Sequence, residues 1–370
     1  LYWIKNDDYP RGRQVLAARP AAGAARATFS EGLQMKPATL AGICVRPVVR
    51  GAAALALLVA AAPDGRAAEV AAAFPSRPIR MVVPFTPGGS NDIVARLIGM
   101  KMAEGWGQQV VIDNRPGAGG ALGAEMVARA VPDGYSLILT NPGPSVHNIL
   151  LRKKPLYGFD DFAPVIYVGY APAIIIVNPK VPAASIGEFI AYAKANPGKI
   201  TWGSPGTGSN PYIGMEMFKA AAKIDVTHVP YKGTGPALTD LVAGQIDALQ
   251  SSVASTEAYL RNGRIRVLAV AAAKRQARLP EVPTLAEQGV HGADIVIWYG
   301  LLTAAKTPRA VIERLNREVN RILLLPDVRA RFDAMGAEIE GGTPEKFGAF
   351  IRSEAEALRR LIASGAVSPE

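Results

Sequence analysis

Cysteine is almost missing from this 370-residue chain: Cys44 is the only one. That excludes a disulfide framework, and it leaves no thiol nucleophile or cysteine-based metal site beyond the N-terminal region. Histidine is nearly as scarce. His147, His228 and His291 stand far apart, without metal-ligand spacing, and each reads more readily as a structural or surface side chain. Neither a Gly-x-Ser-x-Gly elbow nor a Gly-x-x-x-x-Gly-Lys-Ser/Thr loop occurs. The run Gly117-Ala118-Gly119-Gly120-Ala121-Leu122-Gly123 imitates a dinucleotide fingerprint but has Leu122 where glycine or alanine is needed. No acid, base or nucleophile set emerges, and no cofactor or metal is expected. Long single-sign charge runs are also lacking. The net charge of +10 is spread along the chain, which argues against nucleic-acid binding and suits attraction of small anions.

Hydrophobic content of 49% and charged content of 19% fit a globular chain long enough for two domains. Near the N-terminus, Lys36, Arg46 and Arg50 precede Gly51–Ala62, an apolar run of 12 residues that is too short to span a bilayer comfortably. Small residues follow at Gly65-Arg66-Ala67 and Ala71-Ala72-Ala73. This reads as an export signal over residues 35–73 and predicts an exported protein. A buried or membrane-anchoring helix is the alternative. Met35 is the expected start, and residues 1–34 are set aside as an upstream, unstructured extension. A lipid anchor on Cys44 is not expected, because the apolar run follows that residue.

The most informative stretch is Val82-Val83-Pro84-Phe85-Thr86-Pro87-Gly88-Gly89-Ser90-Asn91-Asp92-Ile93. A buried strand leads into a Pro/Gly/Gly turn, and Ser90, Asn91 or Asp92 can cap the helix that follows. Strand, glycine turn and helix N-terminus together receive anions, because glycine lets the backbone approach and the first N–H groups point outward. The same layout also serves as an ordinary βα turn.

Periodicity predicts strands at 79–83, 109–113 and 136–140 with helices at 93–104 and 121–130, a βαβαβ series that argues a parallel sheet. Two β-rich runs follow within Phe162–Val177. A second series then begins. It has helices at 185–196, 209–222, 236–243 and 256–261, and strands at 200–203, 225–229, 246–250 and 266–271. Ser185 with Glu188 forms a capping box. A strand at 295–303 and helices at 308–324, 327–335 and 344–363 complete the pattern. Chain crossings near 170–178 and 293–300 suggest two α/β lobes joined by a hinge: 74–176 plus 297–370, and 177–296. A crevice between lobes would enclose a ligand.

The second series carries its own glycine loop, Gly203-Ser204-Pro205-Gly206-Thr207-Gly208-Ser209-Asn210. Two helix N-termini, one per lobe, could face each other and hold a carboxylate with backbone N–H groups and the hydroxyls of Thr86, Ser90, Ser204, Thr207 and Ser209, without a dedicated arginine. Val229-Pro230-Tyr231-Lys232-Gly233-Thr234-Gly235 repeats the layout once more. Lys232 offers a positive charge or is simply a solvated lysine. Asn141, Ser145 and Asn148 follow the strand ending at Thr140, where they could contact a ligand or cap a turn.

With Asn114-Arg115-Pro116-Gly117-Ala118-Gly119-Gly120 and Pro132-Asp133-Gly134-Tyr135-Ser136-Leu137, the glycine-turn segment resembles the Bug family. These are the TctC-like periplasmic substrate-binding proteins of tripartite tricarboxylate transporters. The resemblance runs from about Phe74 to Ile362. It implies a two-lobe, periplasmic-binding-protein-like α/β fold of type II character, each lobe a mainly parallel sheet flanked by helices. It also implies that the loops at Phe85–Asp92 and Ser204–Ser209 cradle a ligand carboxylate, partly through ordered water, and that Thr140–Ser145 and Tyr231–Gly233 complete the cleft. The expected contacts are therefore Phe85, Thr86, Pro87, Gly88, Gly89, Ser90, Asp92, Thr140, Asn141, Ser145, Ser204, Gly206, Thr207, Gly208, Ser209, Tyr231, Lys232 and Gly233. Tyr212 stands where many members have histidine, and Ala305 where proline is usual; these departures bear on the ligand, not the fold.

The reading is a monomeric periplasmic receptor for a small carboxylate, serving membrane transporter subunits or a sensing pathway, with no nucleic-acid partner. A two-lobe enzyme acting on a small organic anion is the alternative, and it predicts turnover. A structural or adhesion protein would bind no small molecule saturably. Dicarboxylates, tricarboxylates, acidic amino acids, aromatic acids and nicotinate-like compounds all stay open. Tyr170, Tyr231 and Trp298 could line an aromatic-tolerant pocket or belong to the core.

Overall fold

A computed structural model describes residues 73–369. The upstream extension and nearly all of the expected export signal lie outside the described residues. Among the described residues, no helix is long and apolar enough to cross a membrane.

The chain builds β1 (Ile79–Val83), α1 (Ser90–Trp106), β2 (Val110–Asn114), α2 (Ala121–Ala128) and β3 (Ser136–Thr140) in the predicted order. β1 pairs in parallel with β2 on one side and β3 on the other. Its residues are almost all buried, because α-helical layers cover both faces of a parallel sheet. α1 stops at Gly107, which takes the left-handed conformation and donates to Ala103.

β4 spans Phe162–Val177 as one strand of 16 residues, not the two runs expected. Glycine at 169 lets it continue past a register shift. A Cβ there would lie 2.2 Å from the Glu338 carbonyl of β10 (Glu338–Ile339), a short strand that sequence patterning missed. The second series follows: α3 (Ile186–Ala195), β5 (Thr201–Ser204), α4 (Asn210–Ala222), β6 (Thr227–Pro230), α5 (Thr234–Ala243), β7 (Ala248–Ser251), α6 (Val253–Arg261) and β8 (Arg266–Ala271). At α3, Ser185 accepts from the Glu188 N–H at 3.2 Å, and the Glu188 carboxylate accepts from the N–H of Ala184, one residue before the cap. β9 (Val296–Ala304), α7 (Arg309–Leu323), α8 (Pro326–Ala334) and α9 (Pro344–Ala363) complete the chain.

Among the described residues the strands form a ten-stranded sheet in the order β2-β1-β3-β9-β4-β7-β5-β6, with β8 and β10 also paired to β4. The outer pairs in each half are parallel (β1 with β2 and β3; β5 with β6 and β7), but every pairing of β4 and β9 is antiparallel, so the sheet is mixed. The two chain crossings lie side by side: Tyr170 pairs with Trp298, Ala171 with Ile297 and Pro172 with Val296. Side chains of β4 alternate between faces. Ile175 and Val177 join the larger core, while Ile174 and Ile176 pack with Leu238, Leu241 and Leu249. Trp202, Phe189 and Phe218 form an aromatic cluster under α3 and α4. At the C-terminal side, Trp298 meets Phe347 and Phe350 and donates Nε1–H to the buried Glu354 carboxyl at 2.9 Å.

Candidate functional site

The glycine loops converge. After β1, Gly88 takes φ +84°, a conformation that side chains rarely adopt, and α1 begins at Ser90. None of Ser90, Asn91 and Asp92 is the cap. Gly89 holds that position without a side-chain bond, because the tight turn starts the helix earlier than expected. Asp92 instead reaches back to the Gly88 N–H at 3.1 Å, and it also accepts from Arg96 Nε and Asn114 Nδ2, each at 3.0 Å. Burial pushes its carboxyl up, but these donors outweigh burial and hold it below the usual range. Asp92 therefore braces the loop. Ser90 is buried beside the Tyr299 hydroxyl. The Phe85 ring packs near Gly120 and Pro144.

After β3, the chain makes a π-helical turn at Gly143–His147 and one further helical turn at Asn148–Leu150. Thr140 Oγ1 pairs with Ser145 Oγ at 2.6 Å, and Ser145 donates to the Asn141 carbonyl. Asn141 donates to Asn91 Oδ1 at 2.9 Å and accepts from the Gly143 N–H. These buried side chains thus join two loops of the first half of the sheet to each other. Asn148 caps the π-helical turn through its backbone N–H to Gly143, and its side chain donates to the carbonyls of Gly119 and Gly143 at 2.9 and 3.1 Å.

In the second half, Ser204 Oγ lies 2.6 Å from His228 Nε2 and accepts from the Gly206 N–H. Ser209 caps α4 through the Tyr212 N–H. Tyr212 lays its ring against His228, 4.9 Å between centroids. Tyr231 donates to Asp240 at 2.7 Å; burial and that carboxylate push its phenol up to about 12. Lys232 is exposed.

The loops of the two halves touch. Gly119, at φ +61°, abuts the second loop so closely that a Cβ would stand 2.1 Å from the Thr207 carbonyl. Gly208 meets Asn148, and Gly143 meets Gly208 and Ser209. Gly233 lies against Thr86, and Gly235 against Pro87. His147 is buried at this contact. Loss of water pushes its imidazole down to about 3, against the opposing pull of the Gly208 and Ser209 backbone.

Between the loops lies a cavity of about 730 Å³, lined by Thr86, Ala118, Gly119 and Arg152 from the first half and by Gly206, Thr207, Pro230, Tyr231, Lys232 and Pro236 from the second. Of the expected residues it gathers Thr86, Gly206, Thr207, Tyr231 and Lys232. Thr86 Oγ1 is buried without a hydrogen-bond partner among the described residues. Phe85, Thr140, Asn141, Ser145, Ser204 and Ser209 are buried around it and build the loops. Ala118, Gly119, Arg152, Pro230 and Pro236 are not among the expected contacts. The Gly117–Gly123 run fails a dinucleotide register, yet its glycines carry the signal of a close backbone approach. Nothing in the pattern marks Arg152, which reaches the cavity only through the turn after β3.

A family model described as the tripartite tricarboxylate transporter family receptor matches residues 94–366, well over half of the chain. The chain belongs to this family. The receptor is 35% identical to the protein BugT of Bordetella pertussis over 296 residues, 79% of this chain and 91% of BugT. Among solved structures, it is similar to an R. palustris protein described with adipate (TM-score 0.77, 33% identity, 80% of this chain and 100% of that one). It is also similar to MatC of Rhodopseudomonas palustris with bound malate (TM-score 0.76, 34% identity, 78% and 100%). The receptor thus shares its α/β fold with periplasmic binding proteins.

Proposed function

We propose that this receptor captures a small carboxylate in the cavity between its glycine loops, in the periplasm, and presents it to membrane subunits of a tripartite transporter or to a sensing pathway. The lobes are 74–176 with 297–370, and 177–296, and the paired crossings of β4 and β9 act as the hinge. The observation that carries this reading is the meeting of loops from both halves around one cavity, with the Thr86 hydroxyl buried and unpartnered in its wall. A carboxylate oxygen accepts from such a hydroxyl and from helix-start N–H groups. The relatives described with adipate and malate support the ligand class. Binding shifts an open–closed equilibrium, and the receptor acts as a monomer that leaves the ligand chemically unchanged.

The test is a thermal-shift screen of protein freed of carried-over ligand by partial unfolding, against a panel of small carboxylates. A ligand that binds only the native state stabilises it by about 2.7 kcal/mol at a hundredfold excess over its dissociation constant. A saturable shift with one acid, recovered unaltered by mass spectrometry, is the expected result. No shift across the panel refutes the carboxylate reading, and conversion of the acid refutes the receptor reading.

A further inference from the structure

We propose that Arg152 makes the receptor selective for ligands with a second carboxylate. This inference rests on the cavity being the ligand site. Arg152 lies just past the turn after β3 and lines the cavity wall. Its Nε donates to Asn148 Oδ1 at 3.0 Å and its Nη2 to the Ala118 carbonyl at 3.2 Å. Asn148, 2% exposed, is itself fixed by donating to the Gly119 and Gly143 carbonyls. The guanidinium is therefore held in place by neutral acceptors only.

Its charge is not matched. The ion pairs among the described residues leave Arg152 without an acidic partner, while most other arginines near this part of the molecule have one: Arg96 with Asp92, Arg115 with Asp113 and Arg129 with Glu125. Lys232, on the loop across the cavity, is exposed and likewise has no ion pair among the described residues. A cavity of about 730 Å³ is far larger than one carboxylate needs. A ligand whose first carboxylate sits at the Thr86 side of the glycine loops leaves room for a second acidic group at the guanidinium. Among the described residues Nη1 has no hydrogen-bond partner, and one of its N–H groups together with the Nη2–H that Ala118 does not take forms a planar fork that recognises a carboxylate through two parallel bonds. A monocarboxylate leaves this cation without an acidic partner.

Calorimetric titration of the full chain with matched pairs of equal carbon number tests this: succinate against butyrate, and adipate against hexanoate. The expected result is that the diacids bind more tightly than the monoacids. Arg152→Gln should lower diacid affinity about 10- to 100-fold and leave monoacid affinity within a factor of about two, the range for a hydrogen bond to a charged group. Arg152→Lys, which keeps the charge but not the fork, should fall between. A melting temperature for each variant separates loss of recognition from loss of fold. If Arg152→Gln weakens both acid types equally, or neither, the selectivity role is wrong while the carboxylate site stands. Monoacid binding with no diacid preference in the wild type has the same meaning. If no acid of either type binds, the carboxylate site falls, and this inference with it.

Discussion

Replacing Gly233 with alanine should weaken ligand capture while leaving the chain folded. Gly233 precedes α5 with an extended backbone, φ 171°, so alanine meets no conformational penalty there. Its effect is confined to what the added methyl group touches. That Cβ would stand 2.0 Å from Thr86 Oγ1, 2.8 Å from Thr86 N and 3.0 Å from Thr86 Cβ, all on the first glycine loop. Turning the threonine side chain relieves the first of these contacts but not the backbone contact, so the two loops must separate by several tenths of an ångström. Overpacking of this kind costs about 1–3 kcal/mol in a well-packed setting. Here it falls only on the form in which the loops meet. The apparent dissociation constant should rise about 5- to 150-fold, and the melting temperature of the ligand-free protein should stay nearly unchanged if that form is open. Titration calorimetry gives the first quantity, and a thermal melt without ligand gives the second. Wild-type affinity in Gly233→Ala would refute the idea that these loops close on the ligand. Equal destabilisation of the free and bound protein would show that the contact belongs to the resting fold and not to capture.

Two pH effects follow from buried groups. Burial, opposed by the Trp298 N–H, pushes the Glu354 carboxyl up to about 8. The folded protein then holds a proton that the unfolded chain has lost, so stability declines as pH rises from the ordinary carboxylate range through about 8. Urea midpoints at pH 5 and pH 8 should diverge in the wild type and nearly coincide in Glu354→Gln; an unchanged slope in that variant refutes the assignment. His147 has the opposite sense. Its imidazole stays neutral in the fold down to about pH 3 while the unfolded chain protonates near 6.5, so stability falls as pH drops below 6.5. His147→Gln should flatten the urea midpoint between pH 4 and pH 6.5, and an equally steep acid limb in that variant rules His147 out as its source.

Much of the architecture is legible from residue pattern because apolar periodicity and glycine punctuation agree locally. β1, β3, β8 and α9 span the predicted residues, and the remaining predicted elements differ by a few residues at their ends. The misses have separate physical causes. β4 continues through Gly169 because its partner strand arrives from residues 338–339, a contact that no local window contains. The π-helical turn at Gly143–His147 has no apolar period to betray it. Ser90, Asn91 and Asp92 all have the chemistry of a cap, and only the turn geometry decides that Gly89 takes the position. At the site the glycine-rich loops are legible as such, whereas the partners that engage the hydroxyls of Ser204 and Tyr231, His228 and Asp240, come from a neighbouring strand and from the helix that follows. Arg152 was invisible for a related reason: a single arginine gains meaning only from the acids that fail to accompany it.

The pairing of β9 with both β3 and β4 carries a consequence for how the chain is made. β3 ends at Thr140 and receives its neighbour from Gly300 onward, so the first sheet half stays unsealed along one edge until most of the polypeptide has emerged. Strands β5 to β8, by contrast, lie in one uninterrupted stretch. During vectorial release the inserted segment can assemble early, while β3 waits with bare backbone donors and acceptors that invite pairing with other chains. Long-range closure of that seam is the slow event expected of this topology, and a truncation ending before Val296 should accumulate as aggregate.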